Sequence, residues 1–290
     1  MTNGSAFDYS TAFSRNAGWV TSEEQATLCS KRIAIAGMGG VGGIHLETLA
    51  RLGVGAFNIA DYDTFELANF NRQAGATMSN LGAAKASAMA ERAWDINPEL
   101  DIRVFDDGVT EANAGAFLED VDLYVDGLDF FAFDARDVVF AELHARKIPA
   151  VIVAPVGMGA SLLNFMPGGM TFADYFAWEG CPHEEKAMRF LLGLSPAMLQ
   201  IKYLVASNNT DLAAERVPST PIGSALAAGV ATTEALKILL KRGKTVAAPR
   251  GVHFDAYRNK LVRTWRPGGN RNIIQQLAIA VARRSLKKRA

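Results

Sequence analysis

Two rhythms of apolar and polar positions alternate through the first 160 residues. RIAIA at 32–36, AFNIAD at 56–61, DIRVFDD at 101–107, VDLYVDGLD at 121–129 and IPAVIVAP at 148–155 have the length and character of buried strands. Between them, GGIHLETLARLG at 42–53, LGAAKASAMAERAWDINP at 81–98, TEANAGAFLED at 110–120 and DARDVVFAELHARK at 134–147 have helical spacing. The first of these helices stops at Gly53, and the second is closed by Asn97-Pro98. Strand and helix in turn predict an α/β fold with a mainly parallel sheet flanked by helices. Ahead of it, TSEEQATL at 21–28 pairs Thr21 with Glu24 in a capping-box pattern and predicts an introductory helix.

The second half is less regular and predicts a mixed C-terminal part. GMGASLLNFMPGGM at 157–170 has one or two strands with a turn at Pro167-Gly168-Gly169. EEKAMRFLLGL at 184–194 and SPAMLQIKYLVAS at 195–207 have helical character. PIGSALAAGVATTEALKILLKRG at 221–243 predicts a long helix whose lack of a polar face implies burial. GVHFDAYRNKLVRTW at 251–265 alternates around Arg258-Asn259 like a hairpin. Finally, NIIQQLAIAVARRSLKKR sets Ile273, Leu277 and Val281 on one helical face, so residues 271–290 are expected to form a basic amphipathic helix.

Composition changes this picture at three points. The chain of 290 residues is about half apolar and carries no unbroken apolar run of membrane-spanning length, so no membrane span is expected. The start lacks a basic, then apolar, secretory pattern, and two distant cysteines, Cys29 and Cys181, suit a reducing, cytoplasmic setting. The zero net charge hides an asymmetry. From Lys241 onward there are 14 Lys or Arg against the single acid Asp255, a balance of +13 that the first 240 residues cancel. Such an end would suit an anionic partner, a membrane surface or simply solvent.

The chemistry concentrates after the first strand. Gly37, Gly39, Gly40 and Gly42 lie between a strand and a helix, where glycine lets the backbone approach phosphates and the helix N-terminus supplies N–H donors. Asp61 ends the second strand, the place where an acid takes ribose hydroxyls. These residues alone leave NAD, FAD and ATP open. Asn69, Arg72, Gln73, Lys85 and Asp129 follow at or beyond carboxyl ends of strands, the side on which such sheets bind ligands. Cations can neutralise triphosphate charge and a carboxylate can hold Mg²⁺. That set fits phosphates that react, whereas hydride transfer needs none of it.

The spaced combination GMGGVGG, IADYDTFELANFNRQ, LGAAKASAMAERAWDINP and VDGLD resembles the ThiF/MoeB and ubiquitin-activating-enzyme superfamily of ATP-dependent adenylyltransferases. The likeness runs over about 13–160 and returns at the long apolar segment and the final hairpin. It implies a Rossmann-like ATP-binding fold over residues 32–270, with 1–31 as a helical segment contributing to a homodimer. On that resemblance Asp61 would bind the ribose, with Asp63 as its neighbour. Asn69, Arg72, Gln73 and Lys85 would line the phosphates, Asp129 would coordinate Mg²⁺, and Arg15 would reach into the partner subunit's site. The implied reaction is attack of a carboxylate on the ATP α-phosphate, leaving an acyl-adenylate and pyrophosphate.

Three departures stand beside it. The stretches TFADYFAW and WRPGGNRN, where relatives often carry Cys-x-x-Cys pairs, have none, so no structural zinc is expected. Phe130 stands where the family usually has Asn after the acid. Cys181, in WEGCPHEE, lies where some members carry an acyl-accepting thiol, against the plainer reading of a packing cysteine. The acceptor carboxylate stays open between a small ubiquitin-like or sulfur-carrier protein, a peptide C-terminus, and modified tRNA. The last is raised by NFNRQ and DDGVTEAN, which resemble tRNA threonylcarbamoyladenosine dehydratases. An NAD-dependent oxidoreductase and a non-catalytic nucleotide-binding scaffold are the readings from other classes.

Overall fold

The computed structural model describes residues 7–206 and 215–287. Eight strands form one sheet in the order β3-β2-β1-β4-β5-β6-β7-β8. They are β1 (Arg32–Ala36), β2 (Ala56–Ala60), β3 (Asp101–Phe105), β4 (Leu123–Asp126), β5 (Ala150–Val156), β6 (Gly159–Phe165), β7 (Arg250–Asp255) and β8 (Lys260–Trp265). The first five run parallel; β6, β7 and β8 continue the sheet antiparallel. The parallel strands, the antiparallel hairpin and the α/β class follow the sequence pattern.

Side-chain alternation divides the core between the two faces of the sheet. Ile33, Ile35, Val125, Val151 and Val153 belong to one apolar cluster, which also takes in α3 (Gly42–Leu52), α4 (Lys85–Ile96) and α9 (Pro221–Leu239). Their neighbours Ala34, Ala36, Tyr124, Ala150 and Ile152 belong to the opposite cluster. That cluster is aromatic, built with α5 (Ala114–Phe117), α6 (Phe133–Arg146), α7 (Phe172–Phe176) and α8 (His183–Leu194). Strands buried on both sides explain the near-continuous apolar runs of the sequence.

The N-terminal segment, with α1 (Tyr9–Ala12) and α2 (Ser22–Cys29), is fastened to the end of α3. Gly53 ends α3 in a left-handed conformation (φ 94°), and the Tyr9 hydroxyl donates to its carbonyl at 2.5 Å. Asn16 and Gln25 amides donate to the Leu52 carbonyl at 3.2 and 2.9 Å. The expected capping box is present: Thr21 Oγ1 accepts from the Glu24 N–H and Glu24 Oε2 from the Thr21 N–H.

Three expectations change. Only Ala114–Phe117 of 110–120 is α-helical. The expected helix at 195–207, whose last residue lies outside the described residues, is in its described part a 3-10 helix, Leu199–Tyr203, because Met198 turns left-handed (φ 45°) and the Tyr203 hydroxyl is tied to the Met158 N–H and to Asp255. α9 is long and apolar enough to cross a bilayer by length and composition alone, but it packs along β5, β6 and α3. It keeps Ile222, Ala225, Gly229 and Thr233 on an exposed face, so its burial is one-sided.

The stretches TFADYFAW and WRPGGNRN meet in space. Gly269 packs against the Tyr175 backbone so closely that a Cβ there would overlap it. Asn270, fully buried, donates to the Phe176 and Arg189 carbonyls at 2.9 and 3.0 Å. The last helix, α10 (Ile273–Lys287), docks on α8 through Ile279 against Met188 and Leu192. Gln275 donates to the Leu192 carbonyl, and Arg283 pairs with Glu185. The shared face of Ile273, Leu277 and Val281 points outward. Residues 288–290 of the expected basic helix lie outside the described residues.

Candidate functional site

A cavity of about 750 Å³ opens above the carboxyl ends of β1, β2, β4 and β5. Its glycine wall is built by contact. Gly37 leaves β1 with φ 86°, a backbone that L side chains rarely adopt, and a Cβ on it would strike the Gly127 carbonyl. A Cβ on Gly42, in the first turn of α3, would strike the Gly37 carbonyl. Gly39 and Gly40 differ. A Cβ there would meet only the side chains of Gln73 and Arg72, at 3.5 and 3.6 Å. Gly37 and Gly42 therefore shape the loop, while Gly39 and Gly40 face the cavity.

Asp61 closes the turn from β2. One carboxylate oxygen accepts the Met38 N–H at 2.6 Å and the other the Asp63 N–H at 2.8 Å. Burial nonetheless pushes its pKa above the ordinary carboxylate value, partly offset by those two N–H groups and by Lys85. Lys85 opens α4, is itself buried, and reaches Asp63 at 3.0 Å. Arg72 lines the cavity and donates to the Ala68 carbonyl and to Asn71. Gln73 is buried beside Gly39 with its side-chain oxygen unpartnered. An orphaned buried acceptor at the mouth of a glycine loop is costly unless a ligand or water completes it.

The β4 side holds the other carboxylates. Asp129 is exposed in the cavity and accepts the Phe131 N–H at 3.0 Å. Beneath it, Asp126 and Arg136, 5% and 2% exposed, form an ion pair at 3.1 Å. Arg136 also donates to the Leu128 carbonyl at 2.6 Å and the Phe130 carbonyl at 3.2 Å, and its guanidinium lies 4.4 Å over the Phe190 ring. The carbonyls it holds flank Asp129 on both sides. Asp126 is completed by the Tyr124 hydroxyl, whose pKa rises on burial.

Nine predicted site residues thus meet at one cavity: Gly37, Gly39, Gly40, Asp61, Asp63, Arg72, Gln73, Lys85 and Asp129. Gly42 packs behind them. Asn69 does not line the cavity; its side chain caps a 3-10 turn by accepting the Glu66 N–H. Arg15 is exposed on the N-terminal segment, away from the cavity lining of this chain. Cys181 is half-buried ahead of α8 and likewise outside the lining. Its neighbour His183 stacks on Phe131 and pairs with Glu215 at 3.2 Å. Among the described residues no group of three or more His, Cys, Asp or Glu is placed to hold a metal by itself.

Sequence reasoning missed Asp126, Arg136, Phe190, Leu194 and the segment 215–219, all in the lining. Asp126 had a signal, since it is an acid ending an apolar strand. Arg136 looks like any helix-surface cation, and Phe190 and Leu194 like ordinary core positions.

A ThiF family model matches residues 13–273. The tRNA threonylcarbamoyladenosine dehydratase of Escherichia coli (strain K12) is 39% identical over 126 residues, 43% of this chain and 46% of that protein. The molybdopterin-synthase adenylyltransferase of the same organism is 30% identical over 141 residues, 49% and 56% of the two chains. The chain therefore spans about half the length of these curated relatives. The crystal structure of E. coli tRNA N6-threonylcarbamoyladenosine dehydratase in complex with ATP superposes with a TM-score of 0.57. It covers 80% of this chain and 95% of that one at 23% identity, a likeness of fold.

Proposed function

The chain belongs to the ThiF family, and from that premise we propose that it uses ATP to adenylate a substrate carboxylate, releasing pyrophosphate. The observation that carries this reading is the gathering of a glycine loop, Asp61, two cations and Asp129 around a single cavity. The loop N–H groups and α3 face the triphosphate, and Asp61 takes the ribose hydroxyls. Arg72 and Lys85 hold the phosphates, Lys85 turning from Asp63. Gln73 lines the cavity beside Gly39, where its amide N–H can donate to a phosphate oxygen.

A carboxylate oxygen of the substrate attacks the α-phosphorus, the bond to the β-phosphate oxygen breaks, and pyrophosphate leaves with its electron pair. The acyl-adenylate stays for a later nucleophile. The protein aligns the reactants and stabilises the charge that develops on the phosphates. Mg²⁺, when bound, neutralises phosphate charge, and Asp129 is the residue that would hold it. A single exposed carboxylate fits an ion that takes one or two protein carboxylates and completes its shell with phosphates and water.

We further propose a cytoplasmic homodimer in which Arg15, exposed here, reaches the partner subunit's site. The acceptor is the carboxyl end of a small carrier protein or peptide. A second reading is favoured by the 39% identity to the E. coli dehydratase: activation of the carboxylate of threonylcarbamoyladenosine in tRNA.

Calorimetric titration with Mg-ATP, NAD⁺ and NADH separates the enzyme classes. ATP alone is expected to bind, and pyrophosphate exchange in Asp129→Ala is expected to fall about 10²-fold or more. Binding of NAD⁺ or NADH without ATP would refute the reading.

A further inference from the structure

We propose that the acyl group activated here carries a bulky apolar substituent, of leucine or phenylalanine size, close to its carboxylate. The inference rests on the adenylation reading above and concerns the other half of the same cavity. β1 and β2, with the glycine loop and Asp61, lie on one side of β4. A second reactant therefore approaches over β4 and β5. That side is walled by Leu128, Phe130, Ile152, Phe190, Leu194 and Val217.

Apolar surface on this side is offered by the half-buried Leu128, Phe130 and Val217, with Glu215, Arg216 and Ser219 beside them. Ile152, Phe190 and Leu194 are buried core residues. Phe130 is only half-buried, and it is set by Phe131 and Phe190 at centroid distances of 4.8 and 5.3 Å. The buried cation at this end, Arg136, makes three hydrogen bonds, to Asp126 and to the Leu128 and Phe130 carbonyls. On β5 the pairing with β4 stops at Ile152, so residues 153–155 in the lining have only β6 as a paired strand. A Gly-Gly tail could pair its peptide groups there but would leave the half-buried Leu128, Phe130 and Val217 uncovered. An apolar side chain would remove both surfaces from water. Because Phe130 directly follows Asp129, the group it meets is the one next to the reacting carboxylate.

The shared chemistry is an apolar carboxylic acid, whether a peptide C-terminus or a free acid. The test is pyrophosphate exchange driven by N-acetyl-Gly-Phe, N-acetyl-Gly-Leu, N-acetyl-Gly-Gly, 3-phenylpropanoate and acetate, with ATP affinity measured calorimetrically on the same preparation. Exchange about tenfold or more faster with the bulky than with the Gly-ending compounds is expected, a discrimination usual for an apolar pocket. The peptides leading identifies a peptide terminus; 3-phenylpropanoate matching them identifies a free acid. Phe130→Asn and the near-isosteric Val217→Thr are expected to lower the bulky-to-Gly rate ratio within each protein, a comparison that cancels any general loss of folding. Equal or better exchange with N-acetyl-Gly-Gly overturns the inference. So does exchange with none of the acids in a protein that binds ATP. A preparation that binds no ATP overturns the adenylation reading beneath it.

Discussion

The parts of the molecule before and after Val156 build the same cavity by different means. Before it, one local rule repeats: a parallel strand ends, a loop turns, and the chemistry sits at the turn. Gly37, Asp61 and Asp129 each lie within three residues of a strand end. After Val156 no such rule holds. Phe190 and Leu194 reach the cavity from α8, and 215–219 from the lead-in to α9. α8 in turn is held by Asn270 and α10, which arrive some 80 residues later. The first part is organised by sequence-local geometry and the second by long-range pins, so damage should spread differently in each.

The largest effect is expected at their junction. Asp126→Ala leaves Arg136 buried without its counter-charge, a loss of about 3–5 kcal/mol in denaturant unfolding. Asp126→Leu with Arg136→Met removes both charges and should recover most of that stability. Exchange activity would stay low, because the Leu128 and Phe130 carbonyls beside Asp129 are no longer held. A double variant as unstable as the single one would show that the ion pair itself, and not the stranded charge, matters.

Asn270→Ala tests the second part. It removes the two hydrogen bonds that tie Phe176 and Arg189 to a remote stretch, at a cost of about 1–3 kcal/mol. Hydrogen exchange should show protection lost over α7, α8 and α10 while β1–β4 keep theirs. Uniform loss over the sheet would erase the distinction between the two parts.

That distinction also explains what the sequence revealed. Strand ends, glycines and Asp61 could be read because period, turn residues and chemistry are adjacent in the chain. The role of Asn69 could not be fixed from the chain alone, because an Asn three residues before Arg72 can cap a turn or face a ligand; here its side-chain oxygen caps the turn. Arg136 was illegible because nothing local marks a helix cation as buried; its ion-pair partner, Asp126, sits ten residues back on a strand. The segment 195–207 has helical spacing, but tertiary ties from Tyr203 to Met158 and Asp255 hold a tighter turn. The apolar wall was hidden for the same reason as Arg136: Phe190 and Leu194 look like core until the cavity beside them is known.

His45 probes the tightness of the first part. It is fully buried on α3, neither ring nitrogen has a partner, and burial pushes its pKa down to about 3. An unfolded histidine takes up a proton below about pH 6.5, whereas the folded one stays neutral. The stability associated with this group is therefore complete above that pH and is lost as pH falls. At pH 5 the loss is about 2 kcal/mol. His45→Leu should unfold with a shallower pH dependence between 7 and 5. An unchanged slope would mean that the ring is solvated in the folded state.

The smallest stability effect is expected within the glycine loop itself, where neighbouring glycines have different tasks. Gly37 has a left-handed backbone, and a Cβ on Gly42 would collide with a carbonyl, so both are required by the fold. Gly40 has neither constraint: a Cβ would rest at ordinary distance from the Arg72 side chain. Gly40→Ala should change unfolding free energy by no more than about 0.5 kcal/mol. Its methyl group would nonetheless stand where the phosphates approach the backbone, so ATP affinity by calorimetry should fall clearly. Loss of affinity without loss of stability would assign Gly40 to the ligand. Equal losses in both would mean that the whole loop is built for packing, and the local rule of the first part would then describe a turn and not a binding site.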